Sequence, residues 1–512
     1  MKQLSGADNL FLALEQGNQT AHVAGLGLYD PSTAPGGAVR FKGILGYFES
    51  RLGTSKAFRR RLVRAPLNLD RPYWVDEATV DMEFHVRHIA LPQPGDWRQL
   101  CIQVARLHAR PLDLSRPAWE AYVIEGLDHI EGLAPGSFAL YIKFHHAAVD
   151  GEAGAAVIGA LHSLSPLPEV AAAPAAATIA DREPTTVELL ARSVGNRYAR
   201  IRQASRLAID LGPVVWQFGL QQIRPRAADD ADAAARDPDL SVKQAPPTRF
   251  NTALSPHRVM DAVPLPLDAV KRVRAAHPGA TLNDIFMTVS AGALRRYLEK
   301  KKELPEATLN AMIPISLRGE IKDADAGNQV GLSAMPLFTN IAGEGKRLQM
   351  IHRGSAKGKS DAAVLGKDLP GQVLQVLPTS VAEFAMRRLL LPKINLTISN
   401  VRGPSVPLYM AGARLTAFIP INMLLDGMGL SLTGFSYNGA LWVGVIACRQ
   451  MMPDPALFAQ GLRESFAALL DDADALLAKE AQAAKPAARP AAGRSRAAKP
   501  PARKTAKAVT AG

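Results

Sequence analysis

At 512 residues the chain is longer than one hydrophobic core usually serves, so two folded domains are expected, and its 47% apolar content is that of a globular protein. Two cysteines far apart, Cys101 and Cys448, exclude a disulfide framework, and no stretch approaches the roughly 18 consecutive apolar residues of a spanning helix. The net charge of +13 is no warrant for a nucleic-acid binder, because +8 of it lies in residues 481–512, leaving +5 for the other 480.

Taken in chain order, Met1-Lys2-Gln3-Leu4 lacks the apolar core of a signal peptide, which predicts a cytoplasmic protein, soluble or resting on a membrane surface. Trp97–Arg106 has an amphipathic helical pattern in which Cys101 reads as a packed thiol rather than a nucleophile. Ser137–Phe144 is aromatic and β-branched enough for a buried strand, and the Gly/Ala-rich run Glu152–Leu161 reads as a helix. Two Ala/Pro-rich stretches, Pro166–Pro184 and Pro225–Pro247, read as linkers. Between them Thr185–Ile223 predicts one or two helices, with Leu189, Leu190, Val194, Tyr198, Ile201 and Leu207 on recurring faces and an apolar end at Trp216 and Phe218. That segment is read either as a bridging helix or as a lid or lipid contact.

A second helix starts at Thr281 or Asn283, either able to cap it, and runs to Lys302. Strands follow at Leu309–Ser316, Ile394–Ser399 and Gly429–Ser436, the last turning at Tyr437-Asn-Gly-Ala onto Leu441–Ala447 as a hairpin. The Ala/Pro/Lys tail cannot build a core and is expected to be disordered, with nucleic acid, anionic lipid or a granule surface as candidate polyanionic partners. The domains are therefore drawn at 1–165, 250–478 and, between and after them, a linker region 166–249 and the tail 479–512.

The most informative string is His145-His146-Ala147-Ala148-Val149-Asp150-Gly151, at the end of the 137–144 strand. Neutral imidazole is the side chain best suited to take a proton near pH 7 and return it. Adjacent strand residues point to opposite faces, so the two histidines are expected to do different jobs. Asp150 is placed to hold a distant cation or to bond His146, and Gly151 permits a tight turn into the following helix. Two structural histidines, or a shared zinc, are the other uses of such a cluster. No HExxH or Cys-x-x-Cys is present and no third ligand stands out, so no metal is expected.

HHxxxDG is also the active-site motif of the CoA-dependent acyltransferase superfamily, which includes chloramphenicol acetyltransferase and peptide-synthetase condensation domains. Other segments make the chain similar to the bacterial wax ester synthase/diacylglycerol acyltransferase family. Leu4-Ser-Gly-Ala-Asp8 with His22-Val-Ala-Gly25 resembles its opening, and Pro72-Tyr-Trp-Val75 with Phe84-His-Val86 its "P.W…YHV" stretch. Arg116-Pro-Ala-Trp-Glu120 and Ile124-Glu-Gly-Leu127 resemble "RPLW…IEGL". Leu282-Asn-Asp-Ile285, Pro314-Ile-Ser-Leu-Arg318, Gly327-Asn-Gln329, Ser399-Asn-Val-Arg-Gly-Pro404, Asp426-Gly-Met-Gly-Leu430 and Ser436-Tyr-Asn-Gly439 follow in the family's order. The departures Ala118 and Arg402 lie away from the histidine motif and bear on acyl or acceptor preference.

The resemblance implies a mixed-sheet α/β fold of two chloramphenicol-acetyltransferase-like domains, packed face to face with a tunnel between them. It implies an O-acyltransferase that moves a fatty acyl group from acyl-CoA, a substrate and not a cofactor, to a long-chain alcohol or diacylglycerol. His146 would be the general base, with His145 packing behind or orienting it, and no acyl-enzyme would form. The chain agrees in having no G-x-S-x-G elbow. Asp150 would pair with an arginine of the second domain, for which Arg318 is the candidate, while Asn283, Asp284, Ser399 and Asn400 would line the cleft. Peripheral attachment to the inner membrane face or to lipid inclusions would follow. The alternatives are a related HHxxxDG enzyme acylating a polyketide, sugar or peptide, and a non-catalytic granule or polyanion-binding protein that keeps the fold.

Overall fold

The computed structural model describes residues 1–149, 157–167, 181–223, 240–316, 330–365, 373 and 375–483. In the first half the strands are β1 (Lys2–Gln3), β2 (His22–Asp30), β3 (Arg60–Val63), β4 (Tyr73–Asp76), β5 (Val86–Ala90), β6 (Trp119–Glu125) and β7 (Phe138–His145). The second half adds β8 (Arg258–Pro266), β9 (Asn310–Ser316), β10 (Val330–Pro336), β11 (Leu396–Val401), β12 (Tyr409–Met410), β13 (Ala413–Ile421), β14 (Leu430–Tyr437) and β15 (Ala440–Cys448). The main helices are α1 (Gly6–Leu14), α2 (Phe41–Arg51), α3 (Met82–His85), α4 (Trp97–His108) and α5 (Thr186–Ile223). They continue with α6 (Leu267–Ala276), α7 (Leu282–Lys301), α8 (Glu344–Leu365), α9 (Thr379–Ala385) and α10 (Pro455–Ala483).

Two six-stranded mixed sheets carry the fold. The first has the order β12-β13-β2-β7-β6-β5 and the second β10-β9-β11-β14-β15-β8, while β1, β4 and β3 form a small separate sheet. Every residue of β7 is buried, which explains its unbroken apolar run: it sits at the centre of its sheet and is covered on both faces. In the second sheet the β14–β15 hairpin closes through Asn438 and Gly439, both at positive φ, the conformation a two-residue type I′ turn requires. Helix α7 begins at Thr281, whose hydroxyl accepts the Asp284 N–H while the Asp284 carboxylate accepts the Thr281 N–H. Residues 284–294 of α7 are buried all round, beneath the second sheet and beside α8 and α10.

The sheets are joined by more than proximity. Strand β13 comes from the second half yet pairs antiparallel with β2, from Arg414 opposite Asp30 to Ile421 opposite Ala24. It also packs against β14 and β15. A Cβ on Gly444 of β15 would lie 1.9 Å from the Pro420 carbonyl oxygen, so the strands reach this separation only because position 444 is glycine. The neighbouring atom is backbone and has nowhere to go. Gly444→Ala is expected to destabilise the protein by about 2 kcal/mol or more, of the size of core overpacking, seen as a lower midpoint in thermal or urea unfolding. A wild-type midpoint would refute this reading of the seam.

Helix α5 is the single continuous helix that its apolar periodicity allows, but the periodic face is largely uncovered. Leu189 is buried, whereas Val194 is 74% and Tyr198 69% exposed. Among the described residues no helix is long and apolar enough to cross a membrane.

Candidate active site

The end of β7 carries the two histidines, and the pleat separates them as alternation requires. His145 is buried. Its N–H donates to the Ala118 carbonyl at 2.9 Å, and its Nδ1 accepts the Ala147 N–H at 3.1 Å. The ring proton therefore sits on Nε2, which lies 3.3 Å from Glu15 Oε2, off the line of an ideal hydrogen bond. The other Glu15 oxygen accepts the Ala21 N–H at 3.3 Å, and the Ala21 carbonyl in turn accepts the His146 N–H at 2.8 Å. Glu15 thus faces the His145 ring with one oxygen and, with the other, holds the Ala21 peptide that anchors the His146 backbone.

His146 faces the other way, into a cavity of about 570 Å³. Its imidazole stacks on the Phe11 ring, 3.9 Å between centroids and 15° between planes. The cavity lies where the two sheets meet. Ile142 and Phe144 of β7, Val23 and Gly25 of β2, and Phe418 of β13 form one side; Ser399 and Val401 of β11 and Thr433 and Phe435 of β14 form the other. Leu10, Phe11 and Leu14 of α1 and Ala382, Met386 and Leu389 close it. The wall is apolar apart from His146, Thr397, Ser399, Asn422 and Thr433. Thr433 is buried, and its hydroxyl has no hydrogen-bond partner among the described residues.

The other expected site residues divide. Ser399 is on the cavity wall, next to Thr433 in the parallel register of β11 and β14. Asn400 follows it on the exposed face. Asn283 is half-buried with its amide 3.9 Å from the Met287 sulfur, and neither it nor Asn400 belongs to the cavity wall. Asp284 is also off the wall: its carboxylate accepts from the Thr281 N–H, the Ser355 hydroxyl at 2.7 Å and His352 Nδ1 at 2.9 Å. Burial opposes its charge, but the bonds from Ser355, His352 and Thr281 outweigh burial and hold it below the usual carboxylate value. These bonds tie Asp284 to the start of α7 and to α8. Asp150, Gly151 and Arg318 lie outside the described residues. Phe11, Asn422 and Thr433 were not legible as site residues from their sequence neighbourhoods.

Cys101 is buried on α4, where burial pushes its thiol well up and so leaves it unsuited to act as a nucleophile. Among the described residues no three His, Cys, Asp or Glu side chains gather as a metal-binding group. Other histidines form a neutral scaffold beside the site. His22 Nε2–H donates to the His108 carbonyl at 2.7 Å, and His108 joins the Tyr141 hydroxyl at 2.9 Å to the Asn422 carbonyl at 3.0 Å. Burial brings His108 down to about 3 and His162 to about 4, and burial, reinforced by coupling to His108 and by the nearby Lys143, lowers His22 well below its ordinary value. In the unfolded chain each takes a proton near pH 6.5. The unfolded state therefore binds more protons below that pH, and stability present above pH 6.5 is lost as pH falls towards 3–4. Urea unfolding at pH 7.5 and pH 5 should differ by on the order of 2 kcal/mol for each such histidine. Equal stabilities at the two pH values would contradict a neutral scaffold.

Two sheets packed together along β13, with a histidine at the apolar cavity between them, define a two-domain acyltransferase fold. The family described as "Wax ester synthase/diacylglycerol acyltransferase catalytic domain" matches residues 4–286, and the "WS/DGAT C-terminal domain" matches residues 326–470. A Mycobacterium tuberculosis protein named as a diacylglycerol O-acyltransferase is 34% identical over 486 residues, covering 93% of this chain and 91% of its own. The O-acyltransferase WSD of Acinetobacter baylyi is 32% identical over 466 residues, covering 88% and 93%. The solved wax ester synthase/diacylglycerol acyltransferase of Marinobacter aquaeolei VT8 superposes with a TM-score of 0.63 at 27% identity, over 92% of this chain and all of that one. The first condensation domain of the calcium-dependent antibiotic synthetase shares the fold, with a TM-score of 0.52 at 13% identity over 92% and 97%. The chain belongs to the wax ester synthase/diacylglycerol acyltransferase family and is an acyltransferase.

Proposed function

We propose that the enzyme transfers a fatty acyl group from acyl-CoA to the hydroxyl of a long-chain alcohol or a diacylglycerol, with His146 as general base. The observation that carries this reading is the one imidazole, among the described residues, on the wall of a cavity lined predominantly by aliphatic and aromatic side chains. An acyl chain is the substrate part that such a wall accommodates. The acceptor oxygen attacks the thioester carbon as its proton passes to His146. The tetrahedral oxyanion collapses with cleavage of the carbon–sulfur bond, and the imidazolium returns the proton to the CoA thiolate. Atoms and charges balance without an acyl-enzyme or a cofactor. Asp150 and Arg318 are assigned as a structural ion pair that shapes the loop after the histidines; charge reversal at both positions should restore activity that either reversal alone abolishes.

Leu389 lines the cavity and is nevertheless 67% exposed, with Phe384 and Val381 exposed beside it and Arg387 and Arg388 on the same segment. This supports entry of an apolar acceptor from a lipid surface, with the enzyme peripheral on a membrane or inclusion. The basic tail is assigned to polyanion contact, so removing residues 481–512 should leave turnover of soluble substrates unchanged. The test of the function is product analysis after incubating purified protein with palmitoyl-CoA and either hexadecanol or a diacylglycerol. Wax ester or triacylglycerol should form with stoichiometric release of free thiol. Folded protein that releases no thiol with either acceptor would overturn the assignment.

A further inference from the structure

A second cavity, of about 720 Å³, lies on the other side of α1 and differs from the first in chemistry. Asn9, Leu12 and Ala13 of α1 face it, whereas Ala7, Leu10, Phe11 and Leu14 face the His146 cavity. One helix, about 10–12 Å across with its side chains, is thus the partition between them. Leu377 lines both. Four arginines, Arg64, Arg71, Arg197 and Arg200, line the second cavity against one carboxylate, Asp70.

That carboxylate is fully engaged. Asp70 accepts from the Arg71 N–H, the Tyr73 hydroxyl at 2.9 Å, Asn196 Nδ2 at 2.7 Å and Arg200 Nη2 at 2.7 Å, which also pins α5 to the rim. Arg71 donates to the Gln375 carbonyl at 2.8 Å and so fixes the opposite wall. Burial lowers its guanidinium to about 10, still charged at neutral pH. Arg64 and Arg197 are exposed, and among the described residues neither has a carboxylate partner. The cavity is therefore a concave site with net positive charge and two guanidiniums uncommitted, while Leu12, Leu69, Ile201 and Val376 give it apolar surface. Its volume falls in the range of small-molecule sites, and its concave, mixed charged and apolar walls suit a nucleotide better than a flat lipid layer. Planar guanidinium forks match phosphate geometry.

We propose that this cavity holds the phosphorylated adenosine end of acyl-CoA, with Arg64 and Arg197 contacting phosphate, while the thioester reaches His146 past Leu377. The assignment rests on the acyl-CoA reading above and specifies where that donor is held. It is a ground-state contact remote from the reacting atoms, so its loss raises KM and leaves kcat in place.

The test is an Arg64→Ala/Arg197→Ala double variant of the full chain. Both residues are exposed, and thermal unfolding verifies that the fold is kept. Calorimetry with adenosine 3′,5′-bisphosphate reads the site without requiring turnover: wild-type protein binds, and the variant binds at least about tenfold more weakly, as the loss of charge-assisted bonds to phosphate predicts. The KM for palmitoyl-CoA rises by a similar factor, whereas the KM for S-palmitoyl-pantetheine, which lacks the nucleotide, does not. Equal effects on both thioesters, or unchanged nucleotide affinity, would overturn the proposal. So would unchanged nucleotide affinity accompanied by loss of binding to phosphatidylglycerol vesicles, which would reassign the arginines to a lipid headgroup. Nucleotide binding that depends on the arginines, in a protein without acyltransfer, would uphold the site and reject the function.

Discussion

His146→Ala is expected to lower acceptor-dependent thiol release from palmitoyl-CoA by about 10²–10⁴-fold, the range associated with a positioned general base. The size follows from the wall. Among the described residues His146 is the one imidazole on the wall; the other polar side chains there are those of Thr397, Ser399, Asn422 and Thr433, none of them a general base. Among the described residues of the wall, nothing replaces the lost base. Binding of the acyl chain should survive, because Phe144, Phe418 and Phe435 remain, so the loss should appear in kcat. The measurement is steady-state thiol release at saturating hexadecanol, and turnover within threefold of wild type would remove His146 from the mechanism.

The second large effect is expected one layer behind. Glu15 touches no part of the cavity, yet it faces the proton of His145 and accepts from Ala21, whose carbonyl holds the His146 backbone. Glu15→Ala removes both restraints at once. A displacement of about 1 Å at a reacting group is worth on the order of 10² in rate, so kcat should fall by about that factor with KM for palmitoyl-CoA little changed. Glu15→Gln keeps an oxygen to accept from the Ala21 N–H and should recover most of the loss. If glutamine and alanine are equally impaired, the negative charge opposite His145 matters and the backbone grip does not; if neither is impaired, Glu15 is not a positioning residue.

Local signals carried much of this structure. The aromatic run before the histidines became the buried strand β7, the Thr281 cap sits where its helix begins, and the Asn438-Gly439 turn closes its hairpin. Such features depend on neighbours within a few residues, and sequence displays them directly. Strand β13 was not legible. Its apolar residues could serve any sheet, and the choice of β2 is made by a partner 388 residues away in the Thr416–Leu28 contact. The cavity wall shows the same limit. His146 is marked by its motif, but Thr433 is one of several hydroxyls in an apolar strand until β11 is laid beside it. The bonds of Asp284 to Ser355 and His352 were likewise not legible, since they come from α8, 71 and 68 residues away. The periodicity of α5 identified a helix correctly but not what covers it, because burial belongs to the partner surface.

The pairing of β13 with β2 also sets an order of events during synthesis. Until residues 413–421 leave the ribosome, β2 presents an unpaired edge next to the strand that bears the histidines. A nascent chain must carry that adhesive edge through most of its translation, and a prematurely terminated one never covers it. The amino-terminal half expressed alone should consequently be sticky rather than merely inactive. Supplying the carboxy-terminal half in trans would have to provide the missing strand before solubility could return.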